Sequence, residues 1–201
     1  MSESVLATEF ELKAVDTSER TISGYASVTG NVDAVGDVIE PGAFRRTVAE
    51  HAATGFKNLP VYIGHQHASL PVGMPITVAE DAIGLFTKNR IHATTAGNDL
   101  LAVARERMAA GQPLGMSIGY KANPSSIKWT TKGGQTVRQI GELDLAELSY
   151  TAMPANGSAR VLSVKATSDA QWGSQYAAVQ RFFDDDVRTT LALVQADELF
   201  R

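Results

Sequence analysis

Cysteine is absent from all 201 residues. Disulfides, thiolate nucleophiles and thiolate metal ligands are therefore excluded. Positive charge is not in excess either: 18 Lys and Arg stand against 22 Asp and Glu, a formal net charge of −4. That leaves no electrostatic footprint of a nucleic-acid binder. No apolar run approaches the ~20 residues that a bilayer-spanning helix needs. The opening Met1-Ser2-Glu3-Ser4 has no basic stretch leading into an apolar one, so no secretory signal is expected. Histidine is scarce, with His51, His65, His67 and His92 the full set of four. These absences predict a soluble protein of the cell that makes it, with no membrane or nucleic-acid partner.

What is present suits a globular fold. Hydrophobic residues make up 44% and charged residues 20%, and the length fits one domain with an appendage. Residues 5–15 read as a strand, with Phe10 and Leu12 on one face and Glu9, Glu11 and Lys13 on the other. Residues 21–29 read as its hairpin partner, being rich in β-branched and aromatic side chains. Residues 30–42 form a loop in which Asp33 and Asp37 suit Asx turns, or a metal. Phe44 and Val48 give residues 43–53 a helical spacing.

A strand is expected at residues 59–65, closed by His65, and a hairpin over 72–79 and 83–93. A helix is expected at 98–110, with Asn98 or Asp99 as N-cap and Gly111 as its stop. Lys132-Gly133-Gly134 reads as the turn of a hairpin joining 125–131 to 135–140, and residues 143–153 read as a buried strand. Closing so many strands into a barrel removes their exposed edges. The expectation is an α+β domain over residues 1–165, mostly an antiparallel β-barrel with helices packed on it. Residues 166–173 read as a linker. Residues 174–201 read as an amphipathic helical tail stressed at Asp184-Asp185-Asp186.

The chemistry-bearing stretch is Leu114-Gly115-Met116-Ser117-Ile118-Gly119-Tyr120, a buried strand with one hydroxyl between two glycines. Small residues on both sides are expected to let a substrate backbone approach. A serine hydroxyl needs a base, and near neutral pH that base is usually histidine, oriented by a third group. His65 ends an apolar strand before a loop, where catalytic groups are commonly displayed. His51 reads as surface, and His92 as exposed or structural. Glu147 is a carboxylate inside an apolar stretch, where a buried charge needs a partner, with Asp144 as its competitor. A rival reading takes His65 and His67 as metal ligands on one strand face, with His92 or an aspartate as the third.

The chain resembles the prohead (capsid maturation) proteases of tailed phages, the HK97-type family. The matching pieces are Gly24-Tyr25-Ala26-Ser27-Val28; Gly36-Asp37-Val38-Ile39-Glu40-Pro41-Gly42-Ala43-Phe44; His65 with Pro71-Val72-Gly73; Gly115 to Tyr120; and Glu147-Leu148-Ser149 with Met153-Pro154-Ala155-Asn156. They fall in the family's order. The resemblance implies a serine endopeptidase with a fold like herpesvirus assemblin. It implies Ser117 as nucleophile, His65 as general base and Glu147 as orienting carboxylate, with no metal or cofactor. Family members often have His-Asp where this chain has His65-Gln66, and His67 follows. His65 is preferred to His67 as base because it is taken to end the strand directly.

The implied substrates are the scaffold protein, the major capsid protein and the protease itself, cut inside the assembling prohead in the host cytoplasm. Self-association is a further expectation. Two other readings are an inactive barrel acting as a capsid-assembly scaffold or partner, and a His-x-His metal-binding hydrolase.

Overall fold

The computed structural model describes residues 20–165. The strand expected at 5–15 and the linker and helical tail expected from 166 onward lie outside the described residues. Among those described, ten strands and two helices appear. In chain order they are β1 (Thr21–Val28), β2 (Asp37–Ile39), α1 (Arg45–Ala53), β3 (Val61–Ile63), β4 (Gly73–Glu80), β5 (Gly84–Ile91), α2 (Thr95–Ala109), β6 (Gly115–Ala122), β7 (Ile127–Lys132), β8 (Gln135–Ile140), β9 (Leu143–Thr151) and β10 (Val161–Lys165).

Seven strands form the main sheet in the order β10-β1-β5-β4-β3-β9-β6. All its pairs are antiparallel except β3 with β9, where Tyr62 stands beside Ser149. The sheet curls until its ends meet across the start of β10. Gly115 bridges to Arg160, and Met116 N–H donates to Ala159 O at 3.0 Å. On the other side of the same segment, Tyr25 N–H donates to Arg160 O at 3.2 Å. The result is a mostly antiparallel β-barrel with helices packed on it. A smaller sheet, β2-β8-β7, stands beside it. Both edges of β1 are taken, by β5 and β10.

Strand alternation sorts the side chains. Ile22, Leu85, Ile91, Val61, Leu148, Tyr150, Met116 and Val161 are buried in one core cluster. Leu148 and Tyr150 of β9 face the core cluster, so Glu147 and Ser149, between and beside them, lie on the opposite face of the sheet, where they too are buried. β6 follows the same rule, with Met116 inward and Ser117 outward. Ser117 pairs directly with Ser149, and Gly119 with Glu147.

Several expectations change in detail. Helix α2 starts three residues earlier than expected, because Thr94 caps it: its side chain accepts from Gly97 N–H. Leu100, Leu101 and Ala104 supply its buried face, while Val103 is exposed. Asp33 does make the expected Asx turn, accepting from Val35 N–H and Asp37 N–H at 2.9 and 2.8 Å. Asp37 instead lies in β2, buried and clamped by Arg138, with the Tyr120 hydroxyl donating at 2.7 Å. His51 docks α1 onto β9, its Nε2 lying 2.8 Å from Leu145 O. Strand β3 is only three residues long, so His65 sits beyond it in a turn.

Candidate active site

That turn displays His65. Ile63-Gly64-His65-Gln66 closes with Gln66 N–H donating to Ile63 O at 3.2 Å. Gly64 and His65 both have φ of 59°, the left-handed pair of a type I′ turn. Glycine adopts that conformation freely, whereas histidine is held in it at a cost of about 1–3 kcal/mol. The β9 edge supplies the hold. Gly64 N–H donates to Tyr150 O at 2.9 Å, and His65 N–H donates to Ser149 Oγ at 3.1 Å.

The imidazole then meets Glu147. His65 Nδ1 lies 2.5 Å from Glu147 Oε1. Glu147 is 2% exposed, which makes the hydrogen bond strong and its loss expensive. The second carboxylate oxygen is also committed, since Ser149 Oγ–H donates to Oε2 at 2.8 Å. Ser149, fully buried, therefore ties the carboxylate to the backbone of the histidine it serves. With Nδ1 facing a carboxylate, the ring proton is assigned to Nδ1 and Nε2 is left with a free lone pair.

Ser117 stands on the neighbouring strand opposite Ser149. Directly paired residues share a sheet face with Cβ atoms about 5 Å apart, so its hydroxyl belongs to the same outward patch as the His65–Glu147 pair. Among the described residues no hydrogen bond joins Ser117 to His65. His67 is further out, with Nε2 3.9 Å from Glu147 Oε1 and its ring tilted on Tyr62 at 5.4 Å.

Asp144, the competing carboxylate, is exposed and bonded instead to Arg46 of α1 at 2.5 Å. His92 lies outside the group of His65, His67 and Glu147, whose ligand atoms fall within 4.8 Å of one another. The two glycines around Ser117 do not leave open space for a substrate, as the sequence suggested. A Cβ on Gly115 would meet Pro154 at 2.6 Å, and one on Gly119 would meet Glu147 Oε1 at 2.6 Å. Both vacancies are filled from within the molecule. Sequence pattern alone gives Ser149 no role. The signal was available, because residues two apart on a strand share a face.

The family model for caudovirus prohead serine proteases matches residues 8–172, and the chain belongs to that family. Over 163 residues it is 30% identical to the prohead protease of Enterobacteria phage HK97, covering 78% of this chain and 66% of that relative. The chain thus spans just under two thirds of that relative's length. Among solved structures, the capsid assembly protease of bacteriophage T4 superposes with a TM-score of 0.49 at 13% identity, covering 65% of this chain and 80% of that one. The Kaposi's sarcoma-associated herpesvirus protease bound to a hexapeptide phosphonate inhibitor gives 0.42 at 16% identity, covering 82% and 76%. The varicella-zoster virus protease gives 0.37 at 14% identity, over 82% and 76%. Among the described residues no helix is long and apolar enough to cross a membrane.

Proposed function

We propose that the chain is a serine endopeptidase of capsid maturation, with Ser117 as nucleophile, His65 as general base and Glu147 as the carboxylate that orients it. Family membership supports the reaction class. The observation that carries the residue roles is the buried Glu147 carboxylate held 2.5 Å from His65 Nδ1, on the same sheet face as Ser117. Such a pair fixes the tautomer that leaves Nε2 able to accept a hydroxyl proton.

Ser117 Oγ adds to the scissile carbonyl carbon as its proton passes to His65 Nε2. The tetrahedral intermediate collapses, and the same proton leaves on the departing amine. Water then attacks the acyl-serine, giving its proton to His65, which returns it to Ser117 Oγ as the acid product departs. Glu147 stabilises the imidazolium in each half without itself taking the proton. The absent Ser117–His65 hydrogen bond is compatible with this scheme, since catalytic contacts are often loose before substrate binds.

The proposed substrates are the major capsid protein and the scaffold protein of the same phage, cut inside the prohead, together with the protease's own chain. The test is co-expression with the capsid protein of the same genome, wild type beside Ser117→Ala, read as intact masses. Defined fragments from the wild type alone are expected. Identical masses from both, with shells assembled, would favour a barrel that serves assembly without catalysis. Fragments that persist in Ser117→Ala would remove Ser117 from its role.

A further inference from the structure

We propose that His65, His67 and Glu147 form a site for one divalent transition-metal ion, zinc above all, and that the occupied site is a switched-off form of the protease. The inhibitory half rests on the catalytic reading given above; the binding half does not.

The donors converge. One ligand atom from each residue lies within 4.8 Å of the others. Glu147 Oε1 is the common point, 2.5 Å from His65 Nδ1 and 3.9 Å from His67 Nε2. Its partner oxygen is pinned by Ser149 at 2.8 Å, so the carboxylate presents Oε1 outward and cannot swing away. Ligating carboxylates are commonly braced in this manner. Donors about 2.0–2.2 Å from a tetrahedral zinc stand roughly 3.4 Å apart. Reaching that geometry opens the His65–Glu147 pair by about an ångström, draws His67 toward Glu147 by about half as much, and brings the two imidazole donors, which lie within 4.8 Å, closer by up to about 1.4 Å. The His67 side chain is 64% exposed and the His65 side chain 41%, so both rings have room to move and the ion has a path in. Two imidazoles and a carboxylate suit zinc and leave a fourth position for water.

Occupancy would disable the base for a specific reason. The ion would bind His65 at Nδ1, where the ring proton otherwise sits. A neutral imidazole coordinated at Nδ1 carries its proton on Nε2, and that nitrogen then has no lone pair for the Ser117 proton. Glu147 Oε1 would be spent on the metal as well. His67 gains a role here that the peptidase reaction does not give it.

The test uses untagged full-length protein, with zinc chloride as the probe. Calorimetry on Ser117→Ala is expected to show one zinc per chain, and Ser117→Ala/His67→Ala at least a tenfold weaker affinity. His67→Asn, a smaller change beside Tyr62, should weaken binding in the same direction. Cleavage of the capsid protein by the wild type should stop at the zinc concentration that saturates the calorimetric site and recover with EDTA. Cleavage by His67→Ala should need at least tenfold more zinc to stop. No zinc binding to Ser117→Ala, or equal binding to the double variant, overturns the site. Cleavage that requires zinc overturns the inhibitory role. If the wild type binds zinc and cleaves nothing under any condition, the inhibitory role falls together with the peptidase reading, and the binding site stands.

Discussion

A β-carbon on Gly119 would lie 2.6 Å from Glu147 Oε1 and 2.8 Å from its Cγ. The strand can accept an alanine, because the atoms in the way are side chain and not backbone. The carboxylate cannot, because Oε1 is the atom that holds His65. Gly119→Ala is therefore expected to lower turnover at least tenfold while the thermal midpoint moves by only a few degrees. Unchanged cleavage rates would mean that the His65–Glu147 contact is not used. Glu147→Gln asks the same question of charge. The amide keeps the shape but cannot stabilise an imidazolium, and the corresponding change in Ser-His-Asp triads costs about 10⁴-fold. A loss of about 10³- to 10⁴-fold in kcat is expected, measured on protein whose circular dichroism matches the wild type.

At this scale the sequence offers candidates. Ser117, His65 and Glu147 stood out because each is a polar residue in an apolar strand or at its end. The choice of Glu147 over Asp144 was not settled by pattern, since both lie in β9. The structure pairs Asp144 with Arg46 and points Glu147 at His65.

Elements were legible in proportion to their length. The long hairpins β4–β5 and β7–β8 follow from alternation and from the turn at Gly133-Gly134, where both φ values are positive. Strand β2 was hidden because it has three residues, all buried, and pairs in parallel with β8. Such a strand shows no alternation. What fixes it is chemistry at its first residue. Asp37 is buried, which raises its carboxyl pKa, but the Arg138 guanidinium and the Tyr120 hydroxyl outweigh burial and hold it below the usual carboxylate range.

A carboxylate whose folded pKa is depressed adds stability above the unfolded value of ~3.9, and that stability drains away as pH falls through the folded pKa. Urea unfolding of the wild type should therefore weaken below about pH 4. Asp37→Asn removes the charge that Arg138 and Tyr120 were arranged to meet. It should cost about 1–3 kcal/mol near neutral pH and flatten the acid-side decline. An acid profile as steep in Asp37→Asn as in the wild type would assign that decline to other groups.

At the scale of the whole molecule, closure of the barrel was expected only as a way to remove edges. How it closes was not legible, because the closing contacts join residues far apart in sequence and carry no pattern. Residues 159–161 bond β6 through Met116 N–H, bond Leu114 O just before that strand, and bond β1 through Tyr25 N–H. Gly24 stands at this seam, where the β1–β10 register shifts. A Cβ there would lie 2.3 Å from Arg160 O and 2.9 Å from both Val161 Cα and Met116 Sδ. Two of those three atoms belong to backbone, so moving the Met116 side chain alone does not relieve the clash.

Gly24→Ala should force 159–161 off β1, at a cost of about 1–3 kcal/mol and several degrees in thermal midpoint. The same segment steadies Met116, the residue before Ser117, so cleavage should fall with stability. Amide exchange should quicken at Tyr25, Met116 and Val161 and stay slow in the β4–β5 hairpin. Ser23→Ala, one residue away, is the control and should leave all three readouts near wild type. A Gly24→Ala protein that melts within about a degree of the wild type, with Met116 still protected, would show that the barrel is held shut by something other than this seam.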